Sequence, residues 1–404
     1  MELYLYKARE IGSNKIVKSE GRFESEDHAK RHLIDNKLVP ISVKKKTAMT
    51  TDLSEFALFR PRIKTKDIVF FCKQFGVMLE AGISIGGALN ILGQQSENLT
   101  LQKVVREIDK DVQQGSNLSD AMAKHEDFPD LLISMVKSGE ATGNMDDVMN
   151  KMSDHYEKQM ELRRTIKKAM TYPILVMITI AIVIPILMIF VIPGFVEMFD
   201  DTGIDLPLAT RVVMAVSDWM VAYWYVLIGI IVAIVVGIRL TKKTYPGKKF
   251  FDTLAFKLPL VAKLSKMSTT ALFSDTLSLL VTSGVPVFQS LEIVRQVLQN
   301  TVAKEEMDDI LKGVREGNTI SSSLVGSTIY PPMMISMLKI GEETGALDEM
   351  LLKTSDYYNK EVEVAVDQLT TMIEPFLIAV IAIVVGGIMM AVIMPTFTMA
   401  TELM

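Results

Sequence analysis

MVKSGEATGNMDDVMNKMSDHY (Met135–Tyr156) and MLKIGEETGALDEMLLKTSDYY (Met337–Tyr358) are one passage written twice, 202 residues apart. The offset holds without a gap on both sides. Upstream it pairs Phe71 with Phe273, Gly82 with Gly284, Leu89 with Leu291, Gly115 with Gly317 and Pro129 with Pro331. Downstream it pairs Pro173 with Pro375, Pro193 with Pro395 and Phe195 with Phe397. Chance gives a few such pairs, not an unbroken series. The chain carries an internal duplication, which sets its architecture before any local reading does.

Within each copy the apolar spacing is helical. Ile68, Phe71, Phe75, Met78 and Leu79 recur at helical intervals over Asp67–Ala81, and Gly82 is placed to end that helix. Ile85–Leu92, Leu101–Val112, Leu118–Ala123 and Leu131–Val136 follow with similar periodicity, with breaks at Gly115 and Pro129. A long charged helix then runs from Met145 through Tyr156 towards Arg163, Arg164, Lys167 and Lys168. Short links between such helices imply antiparallel bundles.

Each copy leads into a stretch long enough to cross a bilayer. Tyr172–Pro193 has no charge, and Ile373–Phe397 has only Glu374, at its start. A third stretch, Trp219–Leu240, is interrupted only by Arg239 near its end. Basic residues flank the cytoplasmic ends of spans. Arg163, Arg164, Lys167 and Lys168 precede the first span; Arg239, Lys242, Lys243, Lys248 and Lys249 close or follow the second. Glu197, Asp200, Asp201, Asp205 and Asp218 between them face a single Arg211. The N-terminus is therefore expected inside and the C-terminus outside. Both repeat spans run inside to outside, and the middle span returns the chain, so the repeat is parallel rather than inverted.

The predicted fold is a mainly α membrane protein with a small N-terminal α/β module, two homologous cytoplasmic helical bundles and three transmembrane helices. The module takes residues 1–50, with strands in LYLYKARE, KIVKSEGRF and LVPISVKKK and a helix in EDHAKRHLIDNK. A linker covers 51–66, the first bundle 67–171 and the first span 172–195. An external loop (196–218), the second span (219–240) and a cytoplasmic connector (241–269) follow. The second bundle takes 270–372, the third span 373–397 and an external tail 398–404. Charges begin at Glu2 with no apolar run behind them, so no cleavable signal peptide is expected.

Composition narrows the chemistry. Of 404 residues, 49% are hydrophobic and 23% charged, which suits soluble domains joined to a few spans. A net charge of −5 gives no general attraction to nucleic acid. The lone Cys72 excludes an intramolecular disulfide or Cys-rich metal site and reads as a small core residue. The 27 methionines read as filling for cores and spans. His28 and His32, one turn apart on a charged helix, read as a solvated pair. No phosphate-cradling G-x-x-x-x-G-K-[ST], G-x-S-x-G elbow or H-E-x-x-H occurs, and no catalytic, cofactor or metal-binding residue is expected.

The candidate interaction or structural residues are the two G-E-x-T-G corners and the openings of the repeat spans. The corners comprise Gly139, Glu140, Thr142 and Gly143, repeated as Gly341, Glu342, Thr344 and Gly345. Their glycines permit left-handed turns and close backbone approach. Their glutamate suits the free N–H groups at a helix start, and their threonine suits a cap. A shared structural corner and a partner-binding or self-association surface are the two readings. At the span openings stand Pro173, Glu374 and Pro375; an ionisable residue at membrane depth is costly and often functional, yet Glu374 lies at the edge and Tyr172 takes its place in the first copy.

These residues resemble the inner-membrane platform proteins of type IV pilus and type II secretion machines, the PilC/GspF family. The resemblance covers nearly the whole chain. It rests on LYLYKARE…LVPISV, the G-E-x-T-G corners, Tyr172-Pro173 and Glu374-Pro375, PGFVEMF (Pro193–Phe199), LPLATR (Leu206–Arg211), KLPLVAKL and LLVTSGVPVFQSLEIV (Leu279–Val294). Ala262 departs from a position where glycine is common. The resemblance implies a non-enzymatic, homodimeric or larger assembly in the bacterial cytoplasmic (inner) membrane. It implies as partners a cytoplasmic hexameric assembly ATPase, pilin or pseudopilin, and other inner-membrane assembly proteins. Two other classes fit the residues less well: a transporter needs intramembrane polar or broken-helix sites that the three spans lack, and a receptor or scaffold would need a larger external domain.

Overall fold

The computed structural model describes residues 2–10, 16–23, 26–35, 38–45, 61–191, 193–194 and 208–402. The expected linker falls mostly outside the described residues, as do 196–207 of the expected external loop and the end of the tail. The chain divides into two compact units. Met1–Ile63 with Gly93–Val104 forms one, and Lys64–Leu92 with Val105–Met404 forms the other.

In the first unit, β1 (Glu2–Glu10), β2 (Ile16–Phe23), α1 (Glu26–Asp35) and β3 (Leu38–Lys45) follow in order. The strands form an antiparallel sheet in the order β2-β1-β3. The register slips between Lys7 and Ala8, beside Pro40 on the edge strand β3, where a missing N–H interrupts no interior ladder. Leu33 of α1 is buried. His28 and His32 are exposed and lay their rings against Phe23.

The remaining elements are helical. The first copy contributes α2 (Thr65–Glu80), α3 (Ile85–Gln95), α4 (Leu99–Gln113), α5 (Leu118–Ala123), α6 (Asp130–Thr142) and α7 (Met145–Ile186). A π-helical turn (Leu187–Val191), α8 (Leu208–Thr241) and α9 (Tyr245–Lys257) come next. The second copy contributes α10 (Pro259–Thr282), α11 (Val287–Val297), α12 (Thr301–Arg315), α13 (Ile320–Ser323), α14 (Pro332–Thr344) and α15 (Leu347–Glu402). Equivalent helices begin and end at the same offset, as α6 and α14 show. Three helices depart from the offset: α10 runs for 24 residues where α2 has 16, α13 stops two residues earlier than α5, and α15 continues to Glu402.

Packing repeats as well. In the first copy α2 lies along α7, and in the second α10 lies along α15. Phe71 and Phe75 stack one turn apart on α2, and Phe71 meets Phe128 at 5.3 Å between centroids. Its counterpart Phe273 meets Tyr330 at 5.2 Å. All five rings are buried, each contributing roughly 1.5–3 kcal/mol of burial free energy. Cys72 lies fully buried among them, and burial pushes its thiol far up, away from reactivity.

The last helix of each copy continues without interruption from its helical bundle into an apolar segment. α7 is 42 residues long and α15 is 56, or about 63 and 84 Å. Two helices, Met145–Phe190 and Leu347–Met390, are long and apolar enough to cross a membrane. Their apolar windows are only 11% buried, so they are not core helices of a soluble fold. Pro185 deprives α7 of an amide, and the π-helical turn follows at once. The Met188 carbonyl in that turn accepts from Ser217 Oγ of α8 at 2.5 Å.

Residues 208–218 were expected in an external loop, but they are the first turns of α8, which shows non-helical dihedrals at Tyr223. Val213, Met214 and Met220 of α8 pack on Met188 and Ile388. Arg211 and Asp218 hid this helix from a hydropathy reading, while its packing side is apolar.

Candidate functional site

The G-E-x-T-G corners are built alike. Gly143 and Gly345 end α6 and α14 with φ of 75° and 73°, the left-handed cap a side chain disfavours. Gly139 and Gly341 lie beneath the start of the next helix. A Cβ on Gly341 would stand 2.9 Å from the Leu347 backbone, and one on Gly139 would stand 3.1 Å from Val148. Gly341→Ala is accordingly expected to lower stability by about 1–3 kcal/mol through overpacking. Gly345→Ala is expected to cost about 1 kcal/mol through strain alone. Thermal unfolding of the purified chain reads both, and a Gly341→Ala variant melting with the wild type would contradict the close approach.

The glutamate of each corner reaches a neighbouring helix start. Glu140 Oε1 accepts from Leu118 N at 2.5 Å, and its Oε2 accepts from Ser119 N at 3.1 Å and Ser119 Oγ at 2.5 Å. Glu342 does the same with Ile320 N (2.5 Å), Ser321 N (3.0 Å) and Ser321 Oγ (2.5 Å). A carboxylate thus serves orphan amides at the positive ends of α5 and α13. The threonines do something else. Thr142 Oγ1 donates to the Ser138 carbonyl at 3.0 Å and Thr344 Oγ1 to the Ile340 carbonyl at 2.7 Å, back-bonding within their own helices rather than capping.

Pro173, Glu374 and Pro375 are not brought to the corners. Glu374 lies 27 residues along α15 from its start at Leu347, or about 41 Å of helix. Pro173 is buried on α7, whereas Glu374 and Pro375 are exposed on α15.

A third cluster, absent from the expectations, joins the two copies. His155 of α7 puts Nδ1 2.5 Å from Asp275 Oδ2 on α10, and its Nε2 lies 2.7 Å from Gln159 Nε2. This pairing has His155 Nδ1–H donating to the carboxylate and Nε2 accepting from the amide. Ser355 Oγ of α15 donates to Asp275 Oδ1 at 3.1 Å, and Asn359 Nδ2 donates to Ser355 Oγ at 3.2 Å. Burial pushes the Asp275 carboxyl up. The His155 hydrogen bond, the Lys158 charge and the Ser355 hydroxyl outweigh burial, so the carboxyl stays below its usual range. Nearby, Ser138 Oγ of α6 donates to the Ser283 carbonyl at the end of α10, at 2.6 Å.

These contacts break the repeat. At the 202 offset His155 corresponds to Tyr357 and Asp275 to Lys73. A signal was therefore present in the sequence: positions where duplicated copies exchange charge are candidates for contacts between them. The cluster opens on a cavity of about 330 Å³ lined by Lys158, Arg163, Ser268, Thr269 and Asn359.

Residues 71–193 and 273–395 each match the family described as type II secretion system (T2SS), protein F. The type IV pilus assembly protein PilC of Thermus thermophilus is 35% identical over 402 residues, covering 98% of both chains. PilC of Pseudomonas aeruginosa is 33% identical over 377 residues, which is 91% of this chain and 97% of its own. The type II secretion system protein F of Aeromonas hydrophila is 30% identical over 376 residues, 92% of this chain and 96% of its own.

Proposed function

Because the chain belongs to the type II secretion system protein F family, we propose that it is a non-enzymatic platform in the bacterial inner membrane. It couples a cytoplasmic hexameric assembly ATPase to the insertion of pilin subunits into a growing type IV pilus. The observation that carries this reading is the pair of unbroken helices α7 and α15. Each runs from a helical bundle into an apolar segment, so a push on either bundle is passed along one continuous helix.

In this reading residues 67–171 and 270–372 are cytoplasmic bundles that seat on the ATPase, and 1–50 is a further cytoplasmic module. The chain crosses three times, with α8 supplying the middle crossing, its N-terminus inside and its C-terminus outside. Motion at the ATPase tilts or turns the platform, and the coupled spans lift a pilin helix out of the bilayer. Homodimers or larger assemblies present equivalent faces to successive pilins. The corners Gly139–Gly143 and Gly341–Gly345, with Glu140 and Glu342, fix the bundle shape that the ATPase meets. Pro173, Glu374 and Pro375 mark where bundle helix becomes span.

The equivalent platform of a type II secretion pseudopilus or a competence pilus is the second reading. It is favoured by the 30% identity to the Aeromonas hydrophila secretion protein. Deleting the gene in its host separates the two. Loss of surface pili, restored by the wild-type chain, is the expected result; loss of secreted enzymes with normal pili moves the assignment to secretion. Normal pili together with normal secretion would overturn the platform itself.

A further inference from the structure

Helix α9 is amphipathic in an unusual sense: its polar side faces the protein and an apolar side faces out. Lys249 Nζ pairs with Glu305 Oε1 of α12 at 2.8 Å, and Tyr245 donates its hydroxyl to the same oxygen at 2.6 Å. Asp252 Oδ2 accepts from Thr301 N at the start of α12 at 2.7 Å, and Asn300 Nδ2 donates to the Asp252 carbonyl at 3.2 Å. Phe256 is buried on this side. Phe250, Leu254 and Leu258, each one turn after the last, stand on the other side and are 63%, 37% and 44% exposed. Four polar contacts hold the helix in this orientation, so it cannot roll to hide its apolar stripe.

Position and charge say what covers the stripe. α9 follows the apolar helix α8 after a three-residue corner in which Thr244 Oγ1 donates to the Thr241 carbonyl at 2.7 Å. The corner is tight: a Cβ on Gly247 would stand 2.1 Å from the Thr241 carbonyl oxygen. α9 is thereby held against the end of α8. Arg239, Lys242, Lys243, Lys248, Lys249, Lys257 and Lys263 surround it, with Asp252 the one acid in that stretch. Lys242 Nζ sits 5.1 Å from the Phe251 ring centroid, beside the stripe. On α12, burial and the charges of Lys248 and Arg295 hold Lys304 below its usual range, and its Nζ donates to the Gln296 carbonyl at 3.3 Å.

We propose that α9 lies in the headgroup layer of an anionic bilayer. Phe250, Leu254 and Leu258 enter the acyl boundary, and Lys242, Lys243, Lys248 and Lys257 meet lipid phosphates. The proposal rests on the reading that α8 crosses the membrane. It adds an in-plane anchor that fixes the second bundle against the membrane surface, so that α15 tilts about a defined point.

The test uses the full chain in liposomes containing phosphatidylglycerol. On a Cys72→Ala background, an environment-sensitive fluorophore is attached at Phe250→Cys, Leu254→Cys or Leu258→Cys. Ile234→Cys on α8 and the exposed Asp309→Cys on α12 serve as references. Nitroxide-bearing lipids should quench the three α9 probes and the 234 probe about twofold or more, with the 309 probe unchanged, for a helix buried about 5–10 Å into the interface. Quenching at 234 but not at 250, 254 or 258 would overturn the proposal and leave the crossing intact. Absence of quenching at 234 as well would overturn the crossing. Blue-shifted α9 probes that lipid nitroxides do not quench would assign the stripe to a protein surface such as a second copy, and would also overturn the proposal.

Discussion

Glu140→Ala is expected to remove about 3 kcal/mol from the first bundle, and Glu342→Ala a similar amount from the second, through loss of charge-assisted bonds. Each carboxylate accepts two backbone N–H groups and one serine hydroxyl at the start of a short helix. Alanine leaves those part-buried donors without acceptors and withdraws a negative charge from a positive helix end. Glutamine keeps one accepting oxygen and should recover roughly half of the loss. The glutamates share no partner, so the double variant should show nearly the sum. Hydrogen exchange reads the effect locally: the Leu118 and Ser119 amides should lose protection in Glu140→Ala while those of Ile320 and Ser321 keep theirs. Unchanged protection at Leu118 would contradict the bonding described.

Asp275→Asn is expected to loosen the contact between the copies by about 3 kcal/mol at neutral pH, the usual scale for breaking a buried pair. His155 is buried and would keep its ring among groups that no longer accept its proton well. The pH dependence has a definite sign. The folded carboxyl titrates below its usual range, so its stabilisation is fully present above about pH 4, the unfolded value. It is lost as pH falls through the lower folded value. The gap between wild type and variant should therefore be constant from neutral pH down to about 4 and shrink below it. Protease susceptibility along α7 and α10 measures the opening. A gap that widened on acidification would contradict the assignment.

Legibility in the sequence followed the range of the interaction. The duplication was readable because glycines, prolines and apolar residues recur at one offset, and the structure places helices with the same bounds there, as α6 and α14 show. Gly82 and Gly284 do end their helices, with φ of 81° and 79°. The run from Met145 into the first apolar segment was also legible, since no breaker intervenes before Pro173. Three features were not. His155 and Asp275 meet across 120 residues of chain, and the one trace of them in the sequence is that both depart from the repeat, where Tyr357 and Lys73 stand. Residues 208–218 looked like loop because Arg211 and Asp218 interrupt the hydropathy, although helix and apolar packing need only one side. Thr142 looked like a cap because threonine often is one, but a threonine inside a helix back-bonds to the preceding turn as readily.

The central claim is that this chain links an assembly ATPase to pilin subunits in the membrane. Its most direct test is affinity purification of the tagged full chain from native membranes in mild detergent, with mass spectrometry of what is retained. Recovery of a hexameric assembly ATPase and a prepilin-like protein with the intact platform is the expected result, and the sequence of that prepilin distinguishes pilus from pseudopilus. An intact platform that retains neither would contradict the claim.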